Sequence, residues 1–288
     1  MLARILTAFL TVMMIVSFVE NSSELLAGAP DYKEEFEKEF VFSPGGSLTL
    51  SNICGQIEIS GWEENRIEIY ALKTVSGDLA SEQAGELMAQ VTVEVVQKGN
   101  SIEVKTEKKN LCNTSFQDRE VFTQDCGVEV SYWIKVPRRT DIQLRSLNSY
   151  AMLENLEGDI ELSIESGSIL LQELAGELDL NLVNGPVLLE NVQGSLTTNT
   201  INGSTQARLQ EFESARLNTT NGKITLELPA TAAVDLEAFT LTGELKIDPR
   251  LKTETTCTNK RNFESKINGG GPPIKIYSIR GPILIYIY

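Results

Sequence analysis

Four carboxylates sit where a repeating scaffold would gather them. Asp159 and Glu177 are eighteen residues apart, and so are Glu161 and Asp179. Stacked side by side they would offer oxygen donors to a hard cation. The same residues also read as a solvated acidic face, because such cation sites draw carbonyl and water ligands from a shaped loop as well. The second reading is taken, and no metal, cofactor or catalytic residue is expected. The chain has no His, which removes Ser-His-Asp and Cys-His catalysis and His-ligated zinc. Acids paired with Arg145, Arg208 or Arg216 would be the machinery of a carbohydrate-active enzyme, which needs them to converge in a groove. No aromatic platform accompanies these residues along the repeats. Thr197, Thr198, Thr200, Thr219 and Thr220 suggest a flat threonine face, and β-propensity accounts for them as well. The four Cys do not follow C-x-x-C spacing, which argues against structural zinc and thiol redox chemistry. Cys112 and Cys126 bracket a polar stretch and are a candidate disulfide, worth about 3 kcal/mol for a loop of that size. Cys54 and Cys257 are left unpaired by sequence reasoning.

The elements that carry these side chains follow from a repeat. Gly158, Gly167, Gly176, Gly185, Gly194 and Gly203 are spaced by nine. Two half-units alternate. In one, apolar residues stand at +2, +4 and +6 from the glycine (Ile160, Leu162, Ile164; Leu178, Leu180, Leu182). In the other they stand at +2, +4 and +7 (Ile169, Leu171, Leu174; Val187, Leu189, Val192). Alternation of period two means strands with one inward face. Like resembles like at eighteen, with no room for helical crossovers. That pattern predicts an all-β parallel β-helix, a solenoid of about 18 residues per coil whose coils stack at about 4.8 Å. Asn184, Asn202 and Asn221 precede corner glycines, where both residue types tolerate positive φ. Asn184 and Asn202 would form an amide ladder one coil apart.

Residues 30–64 read as a first solenoid copy and 140–288 as the main array. Residues 65–139 have another texture: a small, mostly β insertion or cap with a short helix over 78–90 and a hairpin around Gly99-Asn100. Pro249 to Gly271 reads as a long loop, and Ile283 to Tyr288 as the last coil.

Lys and Arg number 25 against 40 Asp and Glu, a net charge of −15. A nucleic-acid binder needs the opposite sign. At the amino terminus Arg4 precedes an apolar run, Ile5 to Val19, and small residues follow at Ala27-Gly28-Ala29. This is the layout of a secretory signal peptide over 1–29. If retained, it is a short anchor, since a spanning helix wants about 20 residues. Contact with a membrane is expected only through that segment.

The stretch Gly45-Gly46-Ser47-Leu48-Thr49-Leu50-Ser51-Asn52-Ile53-Cys54-Gly55-Gln56-Ile57-Glu58-Ile59-Ser60-Gly61-Trp62 resembles the opening of the bacterial β-helix domain of unknown function named "putative adhesin". Val136-Pro137 and Asn221-Gly222-Lys223-Ile224-Thr225-Leu226-Glu227-Leu228-Pro229 match the same family, and the likeness covers about residues 36–288. It implies an extracytoplasmic protein (periplasm, cell surface or secreted) without catalytic residues. Cys54 and the Cys112–Cys126 loop lie outside that pattern. The expected role is an adhesin or surface scaffold that meets a surface glycan or an envelope protein. An envelope-stress sensing module and a carbohydrate-active enzyme are the alternatives.

Overall fold

The computed structural model describes residues 32–75, 80–109, 127–251 and 253–288. The strands are β1 (Tyr32–Val41), β2 (Gly46–Trp62), β3 (Arg66–Val75), β4 (Val91–Lys98), β5 (Ser101–Lys108), β6 (Glu129–Pro137), β7 (Thr140–Glu157), β8 (Ile160–Asn184) and β9 (Val187–Asn202). They continue as β10 (Thr205–Asn221), β11 (Ile224–Leu228), β12 (Val234–Thr240), β13 (Leu245–Ile247), β14 (Thr253–Thr258), β15 (Asn262–Ile267), β16 (Pro273–Arg280) and β17 (Ile283–Ile287). Among the described residues there is one helix, α1 (Ser81–Gln90), which packs Ala84 and Met88 inward. The expected all-β architecture is present, and the segment read as a long loop, Pro249 to Gly271, instead carries the antiparallel pair β14 and β15.

The strands pair in parallel with offsets set by the repeat. Ile142 pairs with Ile160 and Leu153 with Leu171. Ile169 pairs with Val187 and Leu178 with Leu196. Each partner lies eighteen residues further on. Between β9 and β10 the offset grows to nineteen after an irregularity at Arg208 to Ser214, so Leu217 pairs with Thr198. Long strands such as β8 turn corners, and their successive thirds fall in two rows. One row runs through Leu50, Leu144, Leu162, Leu180 and Leu217; the other runs through Ile59, Leu153, Leu171, Leu189 and Leu226. All ten are buried in one continuous core. Stacking like on like keeps each apolar face against its neighbours, which a single coil could not do.

The unequal half-units have a geometric cause. Asn155, Glu173 and Asn191 are left-handed, with φ of 60°, 56° and 55°. Each is the extra residue that moves the last apolar position from +6 to +7. At the glycine corners the chain passes very close to the coil below. A Cβ on Gly185, where φ is +134°, would sit 1.7 Å from the Gly167 carbonyl oxygen, so no other residue fits.

Both ends of the array are built, not cut. At the amino-terminal end β5 and β6 lie parallel to the two halves of β2. Beyond them β4 and β3 run antiparallel, and β1 pairs with β3 as an edge rich in Glu and Lys. Charged edges resist pairing with another chain. At the other end the order in space departs from the order in sequence. β16 lies between β10 and β12, and β17 between β11 and β13. The coil expected to be last is therefore threaded inside the one before it. Antiparallel β15 and then β14 follow β12.

Candidate functional site

A groove of about 750 Å3 runs along the array where the first row turns its corner. Alternation explains it. Ser146, Ile164, Leu182, Thr200 and Thr219 point inward and are buried. The residues on either side of each point outward, and the bend of the chain brings them toward one another. One wall is Arg145, Ser163, Asn181, Asn199, Asn218 and Tyr277; the other is Leu147, Glu165, Val183, Ile201, Thr220 and Ile279. Ile201 and Ile279 are 46% and 47% exposed, and Leu241, which pairs beyond Ile279, is 51% exposed. A column of outward aliphatic residues thus runs coil over coil. Sequence reading missed it, because Glu165 and Thr220 interrupt it and the threading of β16 puts Ile279 before Leu241.

Two amide ladders flank the column. In the corner ladder Asn202 donates to Asn184 at 2.9 Å and Asn221 to Asn202 at 2.8 Å, the arrangement expected from sequence. A second ladder was not foreseen: Asn199 donates to Asn181 at 3.0 Å and Asn218 to Asn199 at 2.9 Å. Asn199 and Asn202, bonded to the amides on both sides, each keep one N–H and one lone pair for a partner. At the far end the Tyr277 hydroxyl donates to Glu237 at 2.7 Å, and that carboxylate, followed by burial, holds the phenol proton above its ordinary range.

The acidic residues singled out in the sequence do come together. Asp159, Glu161, Glu177 and Asp179 line a shallow depression of about 300 Å3 with Asp141 and Gln143. Their polar contacts are local. Gln143 donates to Glu161 at 2.8 Å, the Asp159 N–H donates to Asp141 at 3.0 Å, and Asn181 donates to Asp179 at 3.1 Å. Arg145 reaches Glu161 at 3.7 Å. Among the described residues, no group of three or more Cys, Asp or Glu side chains is placed to hold a metal ion. Arg208 lies elsewhere, its guanidinium 4.0 Å from the Tyr288 ring.

Thr198, Thr200 and Thr219 are buried, so the threonine run does not make one outward face. Cys54 is disulfide-bonded; the candidate pair Cys112 and Cys126 lies outside the described residues. So does the amino-terminal segment 1–31. Among the described residues no helix is long and apolar enough to cross a membrane.

An aromatic pair also escaped sequence reading. Tyr70 on β3 and Trp133 on β6 are register partners, with ring centroids 5.6 Å apart and planes at 48°. They line a second depression of about 290 Å3 on the outer side of the other row.

No curated protein matches this chain. Several solved structures match this chain. One from Clostridium sporogenes ATCC 15579, described as a "putative cell adhesion protein", is 13% identical, covers 88% of this chain and 100% of its own, and has a TM-score of 0.35. One from Bacteroides fragilis NCTC 9343, a "putative adhesin", is 11% identical over 88% and 97%, with a TM-score of 0.31. One from Parabacteroides distasonis ATCC 8503, a "putative lipid binding protein", is 12% identical over 88% and 97%, with a TM-score of 0.35. The family profile for Toastrack DUF4097 matches residues 82–285, well over half of the sequence, and the chain belongs to that family.

Proposed function

We propose that this chain is an exported, non-catalytic β-solenoid that holds a surface glycan along the side of its rod. Residues 1–29 act as the export signal, and the rest works outside the cytoplasm as an adhesin or scaffold. The observation that carries this reading is the axial groove, in which an aliphatic column lies between two rows of Asn amides. A linear sugar polymer has the matching chemistry: C–H faces for the column and hydroxyls for the amides. Coils of eighteen residues repeat the amides at about the strand spacing of 4.8 Å, so an extended chain can meet them in series. A sheet hydrogen-bonded on both sides of the groove loses little freedom on binding, which limits the cost of association. A net charge of −15 argues against nucleic acid as the partner.

A glycan array with the chain lacking 1–29, followed by titration of the best polymer, tests this. Saturable binding is expected, weakened about tenfold or more by Ile201→Asp combined with Val183→Asp. Both positions face outward, so the melting temperature is expected to hold. Absence of glycan binding, or binding indifferent to the double variant, contradicts the proposal. Release of polysaccharide fragments on incubation contradicts its non-catalytic part.

A further inference from the structure

We infer that the Tyr70–Trp133 depression is a binding site for an organic cation, of the quaternary or alkylammonium class. It lies on the other row from the groove and does not depend on the glycan reading.

The register assembles it. Glu37 pairs with Tyr70, Tyr70 with Trp133, Trp133 with Glu58, and Glu58 with Met152, one strand to the next. Two aromatic faces are therefore bracketed along the sheet by a carboxylate on each side. Glu68 and Glu154 complete the rim, and Lys135 is the one cationic side chain in the lining. Glu68 is paired with Lys135 and Arg66, so Glu37, Glu58 and Glu154 give this aromatic hollow its negative charge.

The resident cation is committed elsewhere. Lys135 Nζ lies 3.5 Å from Glu68 and 5.4 Å from the Trp62 ring. Arg66 also lies over Trp62, at 4.9 Å, and binds Glu68 at 3.0 Å. Phe36 carries Lys38 and Tyr288 carries Arg208. Among the described residues, then, the cation–ring contacts fall on Phe36, Trp62 and Tyr288, and none falls on Tyr70 or Trp133. Glu58 accepts the Gln56 side-chain amide and keeps its other oxygen for a further partner. An ammonium group over paired aromatic faces gains from the ring quadrupoles. Negative rim charges add attraction at longer range. Alkyl substituents on the nitrogen suit the rings themselves and the outward Met152 beside them, while Ile59, Ile69 and Ile134 face the core on the other side of the sheet. A bare metal ion has no use for such a wall.

Choline chloride and its uncharged isostere 3,3-dimethyl-1-butanol are the probes, read by tryptophan fluorescence in a Trp62→Phe background that leaves Trp133 as the reporter. Saturable quenching by choline is expected, with the isostere at least about tenfold weaker. Glu37→Gln with Glu154→Gln is expected to raise the choline Kd several-fold and to flatten its salt dependence. Trp133→Leu, followed by calorimetry, is expected to abolish binding. No saturation below about 10 mM, equal binding of the isostere, or choline affinity unchanged in the two-Gln variant overturns the assignment. Glycan binding in these variants is expected to persist, which separates this site from the groove.

Discussion

Single residues carry constraints that the repeat imposes at every coil. Gly185 is one of them, with a left-handed φ and a carbonyl where its Cβ would be. Gly185→Ala is expected to destabilise the fold by about 2 kcal/mol or more, measured by urea denaturation; a change within error would show that the corner can relax. Tyr132 is another. It is fully buried, its hydroxyl 2.6 Å from Thr106 Oγ1, which in turn donates to Asn52 at 2.8 Å. Burial pushes the phenol up to about 12, against the small opposing effect of the Thr106 hydrogen bond. The unfolded phenol titrates near 10. Since the folded value is raised, the native state binds the extra proton. The stability this supplies is complete below about pH 10 and is lost between about pH 10 and pH 12. Urea midpoints are expected to fall across that window, and to fall less steeply in Tyr132→Phe. A slope identical in both would remove Tyr132 from the account. Residue types misled in one place. Threonines 198 and 200 read as outward because they are polar and β-prone, yet both are buried, and Thr198 Oγ1 has no hydrogen-bond partner. Nothing local distinguishes an inward Thr from an outward one when the neighbouring coil supplies Leu180 as its partner.

At the level of elements, the inward columns were legible because two periods coincide. Alternation fixes which face is apolar, and the eighteen-residue step fixes which residue lies on which. Features made by long-range pairing were not legible. Tyr70 and Trp133 meet only because β3 turns antiparallel to β6. The hairpin of β14 and β15 was read as loop because Thr, Lys and Asn dominate a segment whose described apolar anchors are few, chiefly Phe263 and Ile267. Threading of β16 and β17 into the interior is a topological fact with no local signature. It has a consequence for removal of residues 273–288. If that coil were simply last, its loss would leave the neighbours intact. Because β16 separates β10 from β12 and β17 separates β11 from β13, its loss is expected to release β12, β13 and β15 as well. Hydrogen exchange read by mass spectrometry checks this: protection over 234–267 is expected to vanish in the shortened chain. Retained protection there would contradict the strand order.

As a whole molecule the protein is a stack whose surface chemistry is written in columns. The aliphatic groove with its amide rows arises because outward residues recur at one position coil after coil, and the aromatic hollow with its acids because the antiparallel strands β1, β3 and β6 lie in lateral register beside β2. Each functional reading therefore rests on the lateral register. The direct measurement is disulfide formation between paired cysteines placed on outward positions of the full chain, mapped by mass spectrometry of non-reduced peptides. Asp179 and Thr197 are register partners on adjacent coils. Leu188 pairs instead with Leu170, in the other row. Asp179→Cys with Thr197→Cys is expected to cross-link under mild oxidation, and Asp179→Cys with Leu188→Cys is not. Cross-linking of the second pair in preference to the first would contradict the stacked register.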